Sequence, residues 1–376
     1  MARGGRRAKR SRGATVYDVA NRAGVSIATV SRVLREPERV TEATRAAVLA
    51  AVDELSYAPR ASARGLAAGH AGVIGLYFAG FDPVEEPDPQ VMHGGITIHD
   101  DPSMRRTDLS ADLYMSALTR GALTAAWKNN TAIMIAIPAA IDEASRLVSI
   151  AGSVDGLVAM SRSIGEEALL QISRRIPLVV IAGGRTDDQF DHVTTNNRAG
   201  MTALTCHVLQ VHGVTNVGYL GGPADSPDDV DRFAGFQDAL ASAQLPIPER
   251  PLERGDFTRP SGQHAVRALA EQDRLPRALL CGNDQMALGA LDVLRAIGKR
   301  VPDDVIVTGF DGIEATQFSI PRLTTVHQPT AQLGMAAVDL LLKRLAEPDR
   351  EPQSVMLGVD VLIRESCGCH RTDTTR

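Results

Sequence analysis

Apolar positions between residues 15 and 57 recur at helical spacing in three short runs. Thr15 can cap a helix whose inner stripe is Val16, Val19 and Ala20, and Gly24 interrupts it. Ser26 restarts a second helix with Val30, Val33 and Leu34 on its apolar side, and Pro37 ends it. Thr41 then caps a third helix carrying Val48, Leu49, Val52 and Leu55. A short Arg- and Ala-rich segment from Pro59 to Ala68 follows, closed by Gly69.

From Gly72 the period changes. Strand-length apolar runs at 73–76, 132–137, 156–158, 178–181, 217–220, 279–280 and 305–307 alternate with helical patterns such as 201–211, 232–243, 262–271 and 285–297. This rhythm predicts parallel sheets covered by helices on both faces. The number of strands fits two doubly wound halves with a ligand cleft between them better than one sheet. Residues 80–110 break the rhythm with Asp82-Pro83, Glu85-Glu86-Pro87-Asp88-Pro89 and His99-Asp100-Asp101-Pro102. So long a connection between a strand and its helix predicts an insertion or a flap. No tandem repeat is visible.

At 376 residues the chain suits two or three units rather than one core. Its net charge of -5 conceals a division. Residues 1–70 hold thirteen Lys and Arg against six Asp and Glu, a net +7, whereas the remainder holds 27 against 39, a net -12. A basic head on an acidic body predicts nucleic acid at one end only. The opening segment carries Arg3, Arg6, Arg7, Lys9, Arg10 and Arg12 with no apolar run behind it, so it does not read as a secretory signal. No stretch approaches the roughly 20 apolar residues of a membrane span. Cys206, Cys281, Cys367 and Cys369 form no disulfide framework, which favours a reducing cytoplasm.

The first two helices have helix-turn-helix spacing, with Ala20 at the packing point and Gly24 in the turn. The second presents Ser26, Ile27, Ala28, Thr29, Ser31 and Arg32 on one side. Small polar groups and one Arg suit a helix in the major groove, where Arg can grip guanine O6 and N7 and hydroxyls can bond phosphates. A three-helix module that never touches DNA has the same pattern.

Residues 15–66, from Thr15-Val16-Tyr17-Asp18-Val19-Ala20 through Val25-Ser26-Ile27-Ala28-Thr29-Val30-Ser31-Arg32-Val33-Leu34, closely resemble the headpiece and hinge of the lactose-repressor (LacI-type) family of bacterial regulators. The resemblance continues at 232–236, 281–289, 307–312, 323–329 and 364–367. It implies a small all-α helix-turn-helix headpiece plus an α/β periplasmic-binding-protein-like domain of two doubly wound parallel-sheet halves. The implied boundaries are a basic tail at 1–14, the headpiece at 15–58, a hinge helix or linker at 59–70, an effector-binding and dimerisation domain at 71–366, and a tail at 367–376.

By that resemblance Ile27 and Ala28 choose operator bases and Arg32 reads a guanine. Thr15, Tyr17, Ser26, Thr29, Ser31 and Tyr57 make backbone or supporting contacts. Arg64 and Leu66 belong to a hinge helix that orders on specific DNA, with Leu66 wedged into the minor groove. Gly65 within that helix should cost about 1 kcal/mol relative to Ala. The tail at 3–12 would add phosphate attraction that fades with salt.

In the body, Arg232, Asp284, Phe257 and Asn196 fall at effector-binding positions. An Arg fork and a carboxylate suit a polyol or a polar heterocycle, since each takes two hydrogen bonds at once. Arg232 could equally form a surface salt bridge, and Asp284 could cap a helix. Asn196-Asn197 stands where the family usually shows Asp-Asn, and the 80–110 segment replaces a short turn, so a sugar effector is the family default only. His93 and His99 have no compact metal-ligand spacing, and Cys367-Gly368-Cys369-His370 stays unassigned.

The expected function is a transcriptional regulator, a repressor rather than an enzyme, in the cytoplasm at the nucleoid. It would act as a homodimer on near-palindromic double-stranded operator DNA under a small polar effector, without cofactor or membrane. A binding receptor on the same fold lacks a reason for the headpiece. An enzyme lacks a nucleophile elbow, a Walker-type loop or a dinucleotide fingerprint.

Overall fold

The computed structural model describes residues 14–35, 37–55, 57, 71–78, 96, 113–136, 150–161, 164–183 and 190–369. The basic tail to residue 13, the hinge with Arg64, Gly65 and Leu66, almost all of 80–110 with His93 and His99, and His370 lie outside them. The chain divides into two compact units, Met1–Gly72 and Val73–Arg376.

In the first unit, α1 (Val16–Ala23), α2 (Ile27–Arg35) and α3 (Glu42–Glu54) surround a small core of Val19, Ala20, Val30, Val33, Val48 and Ala51. A capping box starts α1: the Asp18 amide donates to Thr15 Oγ1 (3.4 Å), while the Thr15 amide donates to Asp18 Oδ2 (2.7 Å). Gly24 ends it in the left-handed region, φ 66°, where a side chain would be strained. Three residues, Gly24 to Ser26, separate the helices, and Ser26 Oγ accepts the Thr29 amide (3.1 Å) to open α2. Two expectations fail here. Leu34 and Leu49, expected on apolar stripes, are exposed, because a three-helix core this small closes over the smaller inner positions, Val30, Val33, Val48 and Ala51, on these two helices. Thr41 occupies the N-cap position of α3, but its hydroxyl meets that of Thr44 (2.9 Å) instead of a backbone amide.

The second unit runs β1 (Val73–Tyr77), α4 (Leu113–Lys128), β2 (Ala132–Ala136), β3 (Gly156–Met160), α5 (Glu166–Ser173), β4 (Leu178–Ile181), β5 (Asp191–Thr195), α6 (Asn197–His212) and β6 (Val217–Gly221). It continues with α7 (Pro227–Ser242), β7 (Glu253–Arg254), α8 (Arg259–Glu271), β8 (Ala278–Cys281), α9 (Asp284–Ala296), β9 (Ile306–Asp311), β10 (Thr324–His327), α10 (Thr330–Ala346), β11 (Ser354–Leu357) and β12 (Asp360–Leu362). Among the described residues these strands form two six-stranded sheets, ordered β11-β5-β4-β3-β1-β2 and β12-β10-β9-β8-β6-β7. Every pair is parallel except β10 with β12.

Strands buried on both faces explain the continuous apolar runs. In β4, Val179 and Ile181 join one core with Ile74, Leu118 and Leu341, while Leu178 and Val180 join the other with Leu157 and Phe190. Helix α10 follows a strand of the second sheet but packs on the first sheet beside α4. Glycine permits that approach: a Cβ on Gly121 would run into the Ala331 carbonyl, and one on Gly334 into the Leu118 carbonyl. The chain therefore crosses between sheets three times, after β5, after β10 and after β11.

Candidate functional site

On α2 the buried positions Val30 and Val33 leave Ser26, Ile27, Ala28 and Arg32 exposed, with Thr29 and Ser31 half-buried. The six residues thus form one outward face with a single cation, Arg32, anchored from behind by the three-helix core. Tyr17 is exposed on α1. Thr15 is exposed too, but its hydroxyl is bonded to Asp18 Oδ2 (2.7 Å). That bond and the Thr15 amide hold the Asp18 carboxyl below its usual pKa. Tyr57 is half-buried and packs on the core, a supporting position. An ion pair from Arg22 to Glu54 (2.6 Å) ties α1 to α3.

The second unit holds a chain of buried polar groups at the carboxyl ends of its strands, where the crossovers run. Thr195 Oγ1, at the end of β5, donates to Gln328 Oε1 (2.7 Å), just past β10. Gln328 Nε2 donates to Asp311 Oδ1 (2.7 Å), and Arg232 Nη1 of α7 lies 3.4 Å from the same oxygen. Arg232 also donates from Nε to Asn197 Oδ1 (2.9 Å) and from Nη1 to the Gly282 carbonyl (2.7 Å). Asn197 Nδ2 donates in turn to Asp228 Oδ1 (2.9 Å), which also faces the Gly183 amide (3.4 Å). The chain thereby links both sheets.

Arg232 is 3% exposed, so it is no surface salt bridge. Burial alone would lower its pKa, but Asp311 and Asp228 reverse the shift and hold it upward. The guanidinium carbon sits 3.9 Å from the Phe310 ring centroid, a cation–π contact. Three non-glycine residues at or just past these strand ends, Ala182 (φ 72°), Phe257 (φ 73°) and Asp311 (φ 120°), adopt positive φ. Such backbone strain gathers at functional sites.

The other expected effector residues take distinct places. Asp284 is fully buried, with Oδ2 accepting the Ile313 amide (2.9 Å) and Oδ1 the Thr325 hydroxyl (2.6 Å). Burial and then nearby Asp311 push its carboxyl pKa well up. It is not the cap of α9; Asn283 is, accepting the Met286 amide (3.0 Å). Asn196 caps α6 through the Ala199 amide (3.3 Å). The Phe257 ring lies over Gly222, whose position has no room for a Cβ, and Asn283 Nδ2 holds the Phe257 carbonyl (2.9 Å). Arg232 is the only one of the four inside the polar chain. Asp228, Asp311 and Gln328 were not singled out as site residues by the sequence, and Asn197 only as part of the Asn196-Asn197 departure from the family pattern, because isolated polar residues flanking strands carry no periodic signal.

Comparison with known proteins agrees with this layout. The family model for bacterial regulatory proteins of the lacI family matches residues 15–60, and that for a periplasmic binding protein-like domain matches 207–367. The HTH-type transcriptional repressor PurR of Salmonella newport (strain SL254) is 32% identical over 365 residues, covering 94% of this chain and 96% of that protein. The PurR of Escherichia coli O1:K1 / APEC has the same identity and coverage. Among solved structures, the transcriptional regulator CelR in complex with cellobiose is 28% identical, with TM-score 0.65 over 94% of this chain and 99% of that one. The lac repressor dimer bound to operator and the anti-inducer ONPF superposes with TM-score 0.76 at 24% identity, over 95% and 99% of the two chains, a likeness of fold.

Proposed function

Because this chain belongs to the lacI family of bacterial regulatory proteins, a family of DNA-binding transcriptional regulators under small-molecule control, we propose which residues read DNA and which sense the effector. The outward face of α2 carries the reading: Ile27 and Ala28 select bases, Arg32 grips a guanine, and Ser26, Thr29, Ser31, Thr15, Tyr17 and Tyr57 position the helix on the backbone. Residues 15–58 form the headpiece and 59–70 the hinge, where Arg64 and Leu66 meet the minor groove.

One headpiece reads half a site, so the operator is near-palindromic and the regulator a homodimer working at the nucleoid of the bacterial cytoplasm. The exposed apolar face of α4 and edge strand β2, with Leu123, Trp127 and Ile135, supports a second copy of the chain as its cover.

The effector enters at the carboxyl ends of the strands, the ligand position of doubly wound sheets. Arg232, Asp284, Asn196 and Phe257 surround it. CelR was solved with cellobiose and an Enterococcus faecium relative with ribose, which supports a carbohydrate. A hydroxylated ligand reaches Arg232 only by exchanging its present hydrogen bonds, and those bonds join the two sheets. Ligand binding therefore changes how the halves are held, which is the differential interaction allostery requires.

The test is binding to a fragment from the chain's own upstream region, with and without a panel of sugars and nucleobases. Arg32→Ala should weaken specific binding by about 1–3 kcal/mol and relax one base position, while circular dichroism stays unchanged. Equal affinity of variant and parent for a specific site would refute the assignment.

A further inference from the structure

Past β12, a 3-10 turn at Glu365–Cys367 returns the chain to the C-terminal end of α6, where His207 and His212 project. Cys367 is buried, and Cys369, His207 and His212 are half-buried. Gly368 between the thiols has φ 104°, a conformation that favours glycine. The two Nε2 atoms lie 3.3 Å apart. Cys369 Sγ is 3.6 Å from His207 Nε2 and 3.5 Å from His212 Nε2, and Cys367 Sγ is 3.7 Å from His207 Nε2. One ligand atom from each of the four residues falls within 4.8 Å of all the others.

These separations match the edges of a coordination tetrahedron. With metal–nitrogen bonds of about 2.0–2.1 Å and metal–sulfur bonds of about 2.3 Å, tetrahedral angles give nitrogen–nitrogen edges of about 3.3 Å and nitrogen–sulfur edges of about 3.6 Å. Thiol–imidazole hydrogen bonds span similar lengths, but here one atom from each of four ligating side chains gathers in a single cluster, as around one metal centre. The imidazole rings meet edge to face at 78°, as two ligands on one centre do. All four cysteines are free thiols, so no disulfide competes.

The geometry points to a closed Cys2His2 site for zinc, formed by His207, His212, Cys367 and Cys369, that clips the C-terminal segment to α6. Two thiolates and two imidazoles select zinc over magnesium or calcium. Four protein ligands leave no open position, so the ion is structural rather than catalytic. It would close a loop of some 160 residues, and it is independent of how the headpiece reads DNA.

The experiment is elemental analysis of the full-length chain purified without chelator, followed by cobalt exchange. The expected result is one zinc per chain, and cobalt spectra with tetrahedral d–d bands and thiolate-to-metal charge transfer. The Cys367→Ser/Cys369→Ser double variant should lose both, while Cys206→Ser keeps them. Should the double variant fail to fold, the parent chain answers alone: chelation should remove the cobalt bands and lower Tm, and zinc should restore Tm. A metal-free parent that takes up cobalt without charge-transfer bands would overturn the site. So would a fresh preparation lighter by two hydrogens with Cys367 bonded to Cys369.

Discussion

Replacing Arg232 with Met keeps part of the apolar stem and deletes the guanidinium, with its charge and its cation–π contact to Phe310. It removes the cation beside Asp311, which keeps the Gln328 Nε2 donor, and it removes the donors to Asn197 Oδ1 and the Gly282 carbonyl. Asp311 is 8% exposed, so water offers it little compensation. Breaking one side of a buried pair costs about 3–5 kcal/mol, against a total stability of about 5–15 kcal/mol. Met packing recovers part of that, so a loss of about 3 kcal/mol is expected. The assay is urea unfolding followed by far-UV circular dichroism, comparing midpoints at constant m. Asp311→Asn supplies the control, because removing both charges should cost less than the two single losses combined. A coupling of about 1–3 kcal/mol is expected from groups sharing one network. A loss under about 1 kcal/mol, or additive single and double variants, would refute the pairing described here.

Gly121→Ala should cost about 1–3 kcal/mol, because the new methyl drives α4 from the Ala331 carbonyl; Gly334→Ala on the same contact should not add fully, as paired thermal melts would reveal. Asp284 has a folded-state pKa above the unfolded 3.8, so its contribution to stability falls as pH rises from there through the raised value. Urea midpoints from pH 4 to 8 should decline less steeply in Asp284→Asn than in the parent, and parallel profiles would contradict the shift. Trp127→Glu puts a charge into the α4 face and should shift sedimentation toward monomer without changing circular dichroism; an unchanged dimer would place the interface elsewhere.

Local grammar carried far in this chain. The α1 capping box, Gly24 in its turn and the inward Val30 and Val33 are all consequences of neighbouring residues. Leu34 and Leu49 were misplaced because helical spacing alone cannot say how wide a core the partner helices will cover. Helix α7 begins at Pro227, earlier than its apolar pattern, since Ser226 caps it and acidic residues fill its first turn. Strand β5, Asp191–Thr195, gave no apolar run, yet all five residues are buried. Its Asp191 is neutralised by the fork of Arg344 (3.0 Å) from α10, a partner 153 residues away.

The sequence by itself determined the helix-turn-helix, the rhythm of a doubly wound body and the family, because caps, turns and periodicity act over a few residues. The three crossings between sheets were decided by tertiary structure, and with them the meeting of Arg232 with Asp311 and of His207 and His212 with Cys367 and Cys369. A buried polar group must find its partner wherever the packed chain brings one, and that choice is made across distances no local pattern spans.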